Sequence, residues 1–182
     1  MVRPIDLKRR SAGSANEVFP RSLRTAWRSA CELLLVVAVA CGGPEAGVTA
    51  AQNVPFTDHG STQESEYEGG PRIVAATDPA TIGLEQLAAR DATRLYIGAF
   101  AGAQRTGGYD IRVVRIERTG STLTAHATFG APPPGAITIQ VLTSPAHLVS
   151  IERQSASSAR ELVLMDQSGA ERARGTVPQS QP

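Results

Sequence analysis

The chain has 182 residues, a formal net charge of +1 and only two cysteines. The charge is split: residues 1–41 hold seven Lys and Arg against three Asp and Glu, and residues 42–182 have a net charge of −3. The larger part is mildly acidic, which argues against nucleic acid as a partner, because the phosphate backbone demands a basic face.

The N-terminal 41 residues have the layout of an export signal. Basic residues from Arg3 to Arg28 precede an apolar run, 33–40, and small residues follow. Eight apolar residues are too few to span a bilayer core that needs about 20. Ala38-Val39-Ala40-Cys41 resembles a bacterial lipobox, in which the cysteine is lipidated and the leader is cut just before it. Several acyl chains on Cys41 would anchor the chain stably. The expectation is an exported protein, lipid-anchored to the cell envelope, with the outer membrane favoured. An ordinary secretory signal is the alternative. The basic segment is long, which leaves a later translation start near Val18 or Leu23 open. Cys31 leaves with the leader, so no thiol remains for a disulfide or a cysteine metal site.

Residues 42–70 are rich in small, polar and acidic residues and read as a flexible tether, and residues 169–182 read as a disordered tail. The patterned domain is placed at 71–168. Within it, 73–76 reads as a strand. Asp78-Pro79 supplies an N-cap and a first-turn proline, and Ile82, Leu84, Leu87 and Ala88 predict a helix over about 79–90, weakened by Gly83. Residues 95–101 form an apolar strand in which Gly98 and Gly102 mark a bulge or a close backbone approach. From 109 to 118 the apolar face slips between Val113 and Val114, which predicts a bulge or burial on both faces. Residues 122–129 alternate strictly, and 137–141 alternate in the same way, so both read as half-buried strands. Two more strands are expected at about 146–152 and 160–166. The fold class is therefore α+β, predominantly β: a small antiparallel curled sheet or sandwich with one helix.

Two strings stand out, Arg105-Thr106-Gly107-Gly108-Tyr109 and Gln140-Val141-Leu142-Thr143-Ser144-Pro145, with Pro134-Gly135 between them. Gly107-Gly108 suits a tight hairpin turn, onto which Tyr109 would lock. Pro145 cannot donate in a ladder and redirects the chain, while Thr143 and Ser144 can satisfy freed backbone groups. Arg105, Thr106, Gly107, Gly108, Tyr109, Gln140, Thr143, Ser144 and Pro145 are thus structural motif residues and candidates for a binding rim.

Together with the flanking apolar strands, these strings resemble the C-terminal domain family named after PrcB, a lipoprotein accessory subunit of a bacterial surface protease complex. The resemblance covers about 94–151. It implies a small accessory or binding domain at the cell surface, with a protease as one candidate partner, and it does not imply that this chain is a protease. Ala146 stands where the resemblance implies an aromatic residue, commonly Tyr.

No catalytic set, metal site or cofactor is expected. His59 falls in the tether, His126 on a threonine-rich strand face, and His147 beside Pro145, where a packed or loop-end role suffices. Ser144, His147 and Asp166 include the residue types of a hydrolytic triad, but Ser and His this close in sequence rarely align. Glu64, Glu66 and Glu68 read as a solvated run. The expected function is a non-enzymatic, lipid-anchored envelope domain that binds or stabilises a partner protein, an exported protease among the candidates. The alternatives are a protease inhibitor acting through the 106–109 hairpin loop and a small-ligand binder.

Overall fold

In the computed structural model, the described residues, 50–179, build two β-sheets face to face. Nine strands run in chain order: β1 (Gln52–Asn53), β2 (Thr57–Thr62), β3 (Arg72–Ala76), β4 (Arg94–Phe100), β5 (Asp110–Thr119), β6 (Thr122–Gly130), β7 (Ala146–Glu152), β8 (Glu161–Met165) and β9 (Glu171–Thr176). One sheet has the order β1-β5-β6-β8-β9 and the other β2-β7-β4-β3. Every pairing is antiparallel except β6 with β8.

Alternation explains the core. Ile111, Val113, Ile116, Leu123, Ala125, Ala127, Leu162 and Leu164 face inward from the five-stranded sheet. Ile73, Leu95, Ile97, Ala99, Val149 and Ile151 meet them from the other. The slip predicted in β5 is a bulge between Val113 and Arg115, which turns Val114 out to solvent and keeps Val113 and Ile116 both inside.

The outer face of the four-stranded sheet is covered as well. Here the expected helix over 79–90 is corrected: only a short 3-10 turn forms, Pro79–Ile82. Asp78 caps it as predicted, its side chain accepting the Ala80 N–H at 2.9 Å. Gly83 then takes a left-handed conformation, φ +81°, and ends it. The chain continues as an irregular cover that buries Ile82 and Leu84 against Tyr96, Phe100 and Leu148. Gly98 permits this close approach, since a Cβ there would lie 2.6 Å from Ile82 Cγ2. Hence β4 and β7 are buried along nearly their whole length.

Three further expectations differ from the structure. Residues 50–70 of the predicted tether hold β1 and β2, which pair with β5 and β7 and bury Val54; few large side chains are needed where backbone pairing does the work. Residues 42–49 lie outside the described residues. The predicted tail holds β9, paired with β8, and Val177 is buried. The folded unit thus extends on both sides of 71–168. Last, residues 137–141 form no strand, since neither sheet includes them as a partner.

The cover is testable. Leu84 is fully buried, so Leu84→Ala is expected to lower unfolding free energy by about 2–5 kcal/mol. Leu87→Ala, at a half-buried site, is expected to cost clearly less. Urea denaturation of both variants measures the difference.

Candidate interaction surface

β4 and β5 lie in different sheets, so residues 101–109 form a crossover and not the predicted hairpin. The sequence between β6 and β7 returns alongside it. Pro134-Gly135 makes the expected turn, with Ala136 N–H donating to the Pro133 carbonyl at 3.0 Å and Gly135 at φ +80°. Gln104 and Thr143 then exchange both backbone hydrogen bonds, at 2.8 and 3.0 Å. Gly107 N–H donates to the Ile139 carbonyl at 3.1 Å, and Thr143 Oγ1 donates to the Thr106 carbonyl at 3.1 Å. The two predicted motifs therefore lie side by side. The glycine pair has a physical reason: a Cβ on Gly107 would sit 2.9 Å from Ile139 Cγ1, and Gly108 adopts φ +91°.

The other side of the second motif is also paired. Ser144 N–H donates to the Gln63 carbonyl at 2.8 Å. Ser65 N–H reaches the Ser144 carbonyl and hydroxyl at 3.2 and 3.1 Å, and the two buried hydroxyls share a hydrogen bond of 3.0 Å. Ala101 N–H donates to the Pro145 carbonyl at 2.9 Å. Thr143, Ser144 and Pro145 thus form the middle of three segments, with 101–107 on one side and 63–65 on the other.

Exposure divides the predicted rim. Gly107, Ser144 and Pro145 are buried, Thr106, Tyr109 and Thr143 are half-buried, and Arg105, Gly108 and Gln140 are exposed. Ala146 is buried opposite Phe100 on β4, where a small side chain packs into the outer apolar cluster. Beside the rim lies a feature that alternation alone read wrongly. Ile137 is fully exposed, and Ile139, Val141 and Leu142 keep between 46% and 70% of their surface in water. The alternation predicts a strand with one buried face, but within the segment only the Ile139 carbonyl is hydrogen-bonded among the described residues.

The histidines serve the frame. His147, on β7, is buried; its Nδ1 accepts the Val113 N–H from β5 at 3.1 Å. That leaves Nε2 to donate to Asp58 Oδ1 on β2 at 3.0 Å. Burial holds His147 below its ordinary value, against the opposing pull of Asp58. Burial would raise the Asp58 carboxyl, but the Gly60 N–H, His147 and Arg112 outweigh it and hold it low. His59, on β2 and not in a tether, shares a 2.8 Å hydrogen bond with the buried Ser150 hydroxyl, which Arg94 Nε also reaches. Burial, then Arg94, lowers His59. His126 pairs with Glu117 at 2.9 Å.

Ser144, His147 and Asp166 are not brought together as a triad. Asp166 accepts from Ser168, Ala170 and Arg172 in the turn after β8; the Ser168 hydroxyl and Ala170 N–H hold it at about 2. Among the described residues no cluster of three or more His, Cys, Asp or Glu side chains is placed to hold a metal. Cys41 lies outside the described residues.

The site is thus a two-sheet β domain with residues of both motifs bonded beside an exposed, uncharged segment. Residues 95–152, from β4 through β7, match the family model described as PrcB C-terminal, so the family resemblance of the two motifs holds for this segment. No match is found among curated proteins or among solved structures.

Buried His147 and half-buried His59 make stability pH-dependent with a defined sign. Above the ordinary histidine value of 6.5, folded and unfolded chains are both neutral at these sites. Below it the unfolded chain takes up protons first, so stability falls with pH from about 6.5 downward. His147→Leu is expected to cost about 1–3 kcal/mol at pH 7.5 by leaving the Val113 N–H unpaired. It is also expected to flatten the fall between pH 7.5 and 5.5, leaving the His59 share. Urea midpoints at the two pH values measure both.

Proposed function

We propose that this protein is an exported, lipid-anchored, non-enzymatic domain of the cell envelope that binds or stabilises a partner protein, with an exported protease as the leading candidate. One observation carries the reading. Thr106, Gly107, Thr143, Ser144 and Pro145 of the two motifs are spent on clamps to neighbouring main chain, and beside them the apolar segment 137–142 stays exposed. Apolar side chains grouped in water are a common mark of a protein interface. The lipobox-like Ala38-Val39-Ala40-Cys41 supports anchoring, and the PrcB resemblance supports a protease complex as the setting.

Inhibition through residues 106–109 has less support. The loop is not a hairpin, Gly107 is buried, and its N–H and the Thr106 carbonyl are both engaged by the neighbouring segment. A cleft-plugging loop needs a free, protruding tip.

The test is photo-crosslinking in intact cells from a benzoylphenylalanine at position 139, compared with one at exposed position 167. A discrete protein adduct from 139 alone is the expected result, lost or redirected in Cys41→Ala. The same adducts from both positions, or none from 139, would remove the proposal.

A further inference from the structure

The surface next to the clamp has two unlike walls. One is the segment 63–68, which places Glu64, Glu66 and Glu68 around a groove with Tyr67 and Ala103. The other is Leu142-Thr143-Ser144, the end of the exposed apolar segment. Among the described residues none of the three glutamates forms an ion pair. The nearby Arg72 guanidinium is spent on the Tyr67 ring, 5.1 Å from its centroid, and on Phe100. The opposite wall has no charge at all: no Asp, Glu, Lys or Arg occurs between Arg118 and Glu152.

The backbone of the apolar wall is also available. Of the main-chain groups of residues 137–142, only the Ile139 carbonyl is hydrogen-bonded among the described residues. The run Ile-Thr-Ile-Gln-Val-Leu is rich in β-branched residues, which favour strands. A run whose main-chain groups are nearly all free is a template for another strand.

We infer that the groove between 63–68 and 142–144 receives an extended, cationic-apolar segment of the partner, one that adds as a strand along the adjoining run 137–142. Its apolar side chains pack on Leu142. Its lysines or arginines face Glu64, Glu66 and Glu68. Charge complementarity decides the partner's chemistry: an acidic segment meets three unpaired carboxylates, and a neutral one leaves them without cations. The inference rests on the partner-binding function proposed above and specifies the segment that is bound.

The experiment uses the full chain in detergent and two short synthetic peptides, one alternating lysine with valine and one alternating glutamate with valine. Binding is followed by fluorescence anisotropy. The lysine peptide is expected to bind, to weaken as salt is raised, and to weaken about tenfold when Glu64, Glu66 and Glu68 are all changed to Gln, the summed effect of three exposed ion pairs. Leu142→Ser is expected to weaken it at constant salt. Thermal melting of each variant separates loss of contact from loss of fold, since all four side chains are at the surface.

Equal binding of both peptides, no binding, or indifference to the triple substitution would overturn the inference. So would sedimentation showing that a second copy of the chain covers the segment and is released by Leu142→Ser. The two proposals fail separately. A crosslinked envelope partner whose contact segment lacks cations leaves the partner-binding function standing and sinks this one. Selective binding of the lysine peptide, with no envelope partner, does the reverse.

Discussion

β7 is buried on both faces and paired on both edges, and the rest of the domain is arranged to satisfy it. It pairs with β2 and β4, faces the core through Val149 and Ile151, and faces the outer cover through Ala146 and Leu148. A strand so enclosed can hold a polar side chain only if every polar atom is matched. His147 and Ser150 meet that condition, each through two partners on other strands. His147 also crosses between sheets: it takes the Val113 N–H from β5 and gives its proton to Asp58 on β2. Asp58 in turn pairs with Arg112 of β5, so one corner of the sandwich is stitched by polar contacts where backbone pairing is absent.

The start of β7 explains the second motif. Pro145 donates no hydrogen bond, yet its carbonyl accepts from Ala101, which fixes where the strand enters. Just before it, Thr143 and Ser144 bond to opposite neighbours through backbone and hydroxyl alike. The first motif is the complementary half. Gly107 gives the returning chain room to approach, and Gly108 takes the left-handed conformation that sends the crossover into β5. Gly107, Gly108 and residues 143–145 are therefore turn and pairing chemistry, and the exposed run 137–142 lies next to them.

Much of this was legible in the sequence because it depends on local chemistry. The bulge in β5 follows from the slip in apolar spacing at Val113 and Val114, and β6 follows from strict alternation. Asp78 and Pro79 marked a turn correctly. What they began was too short to be the helix, because the apolar spacing of Ile82 and Leu84 records burial against Tyr96 and Phe100 and not helical periodicity. Residues 137–141 show the converse error. Their alternation matches a half-buried strand, but a strand needs a neighbour, and which edges are occupied is a property of the whole topology. Edge strands β1, β2 and β9 resemble tether and tail in composition for a related reason: they contribute main-chain bonds and few large side chains. The Glu64, Glu66 and Glu68 wall was visible as a charge run, but its opposite wall was not, since Leu142 and Glu64 are brought together only through Ser65 and Ser144.

The domain divides into clamp residues bonded within it and an adjacent segment whose N–H groups are unbonded among the described residues. Amide hydrogen exchange of the free protein, resolved residue by residue, measures this division most directly. Slow exchange is expected at Ala101, Gln104, Gly107, Thr143 and Ser144, whose N–H groups are bonded, and rapid exchange at Thr138, Ile139, Gln140, Val141 and Leu142. Slow exchange through 138–142 would mean that the segment is already a paired strand of this domain, and would contradict the account.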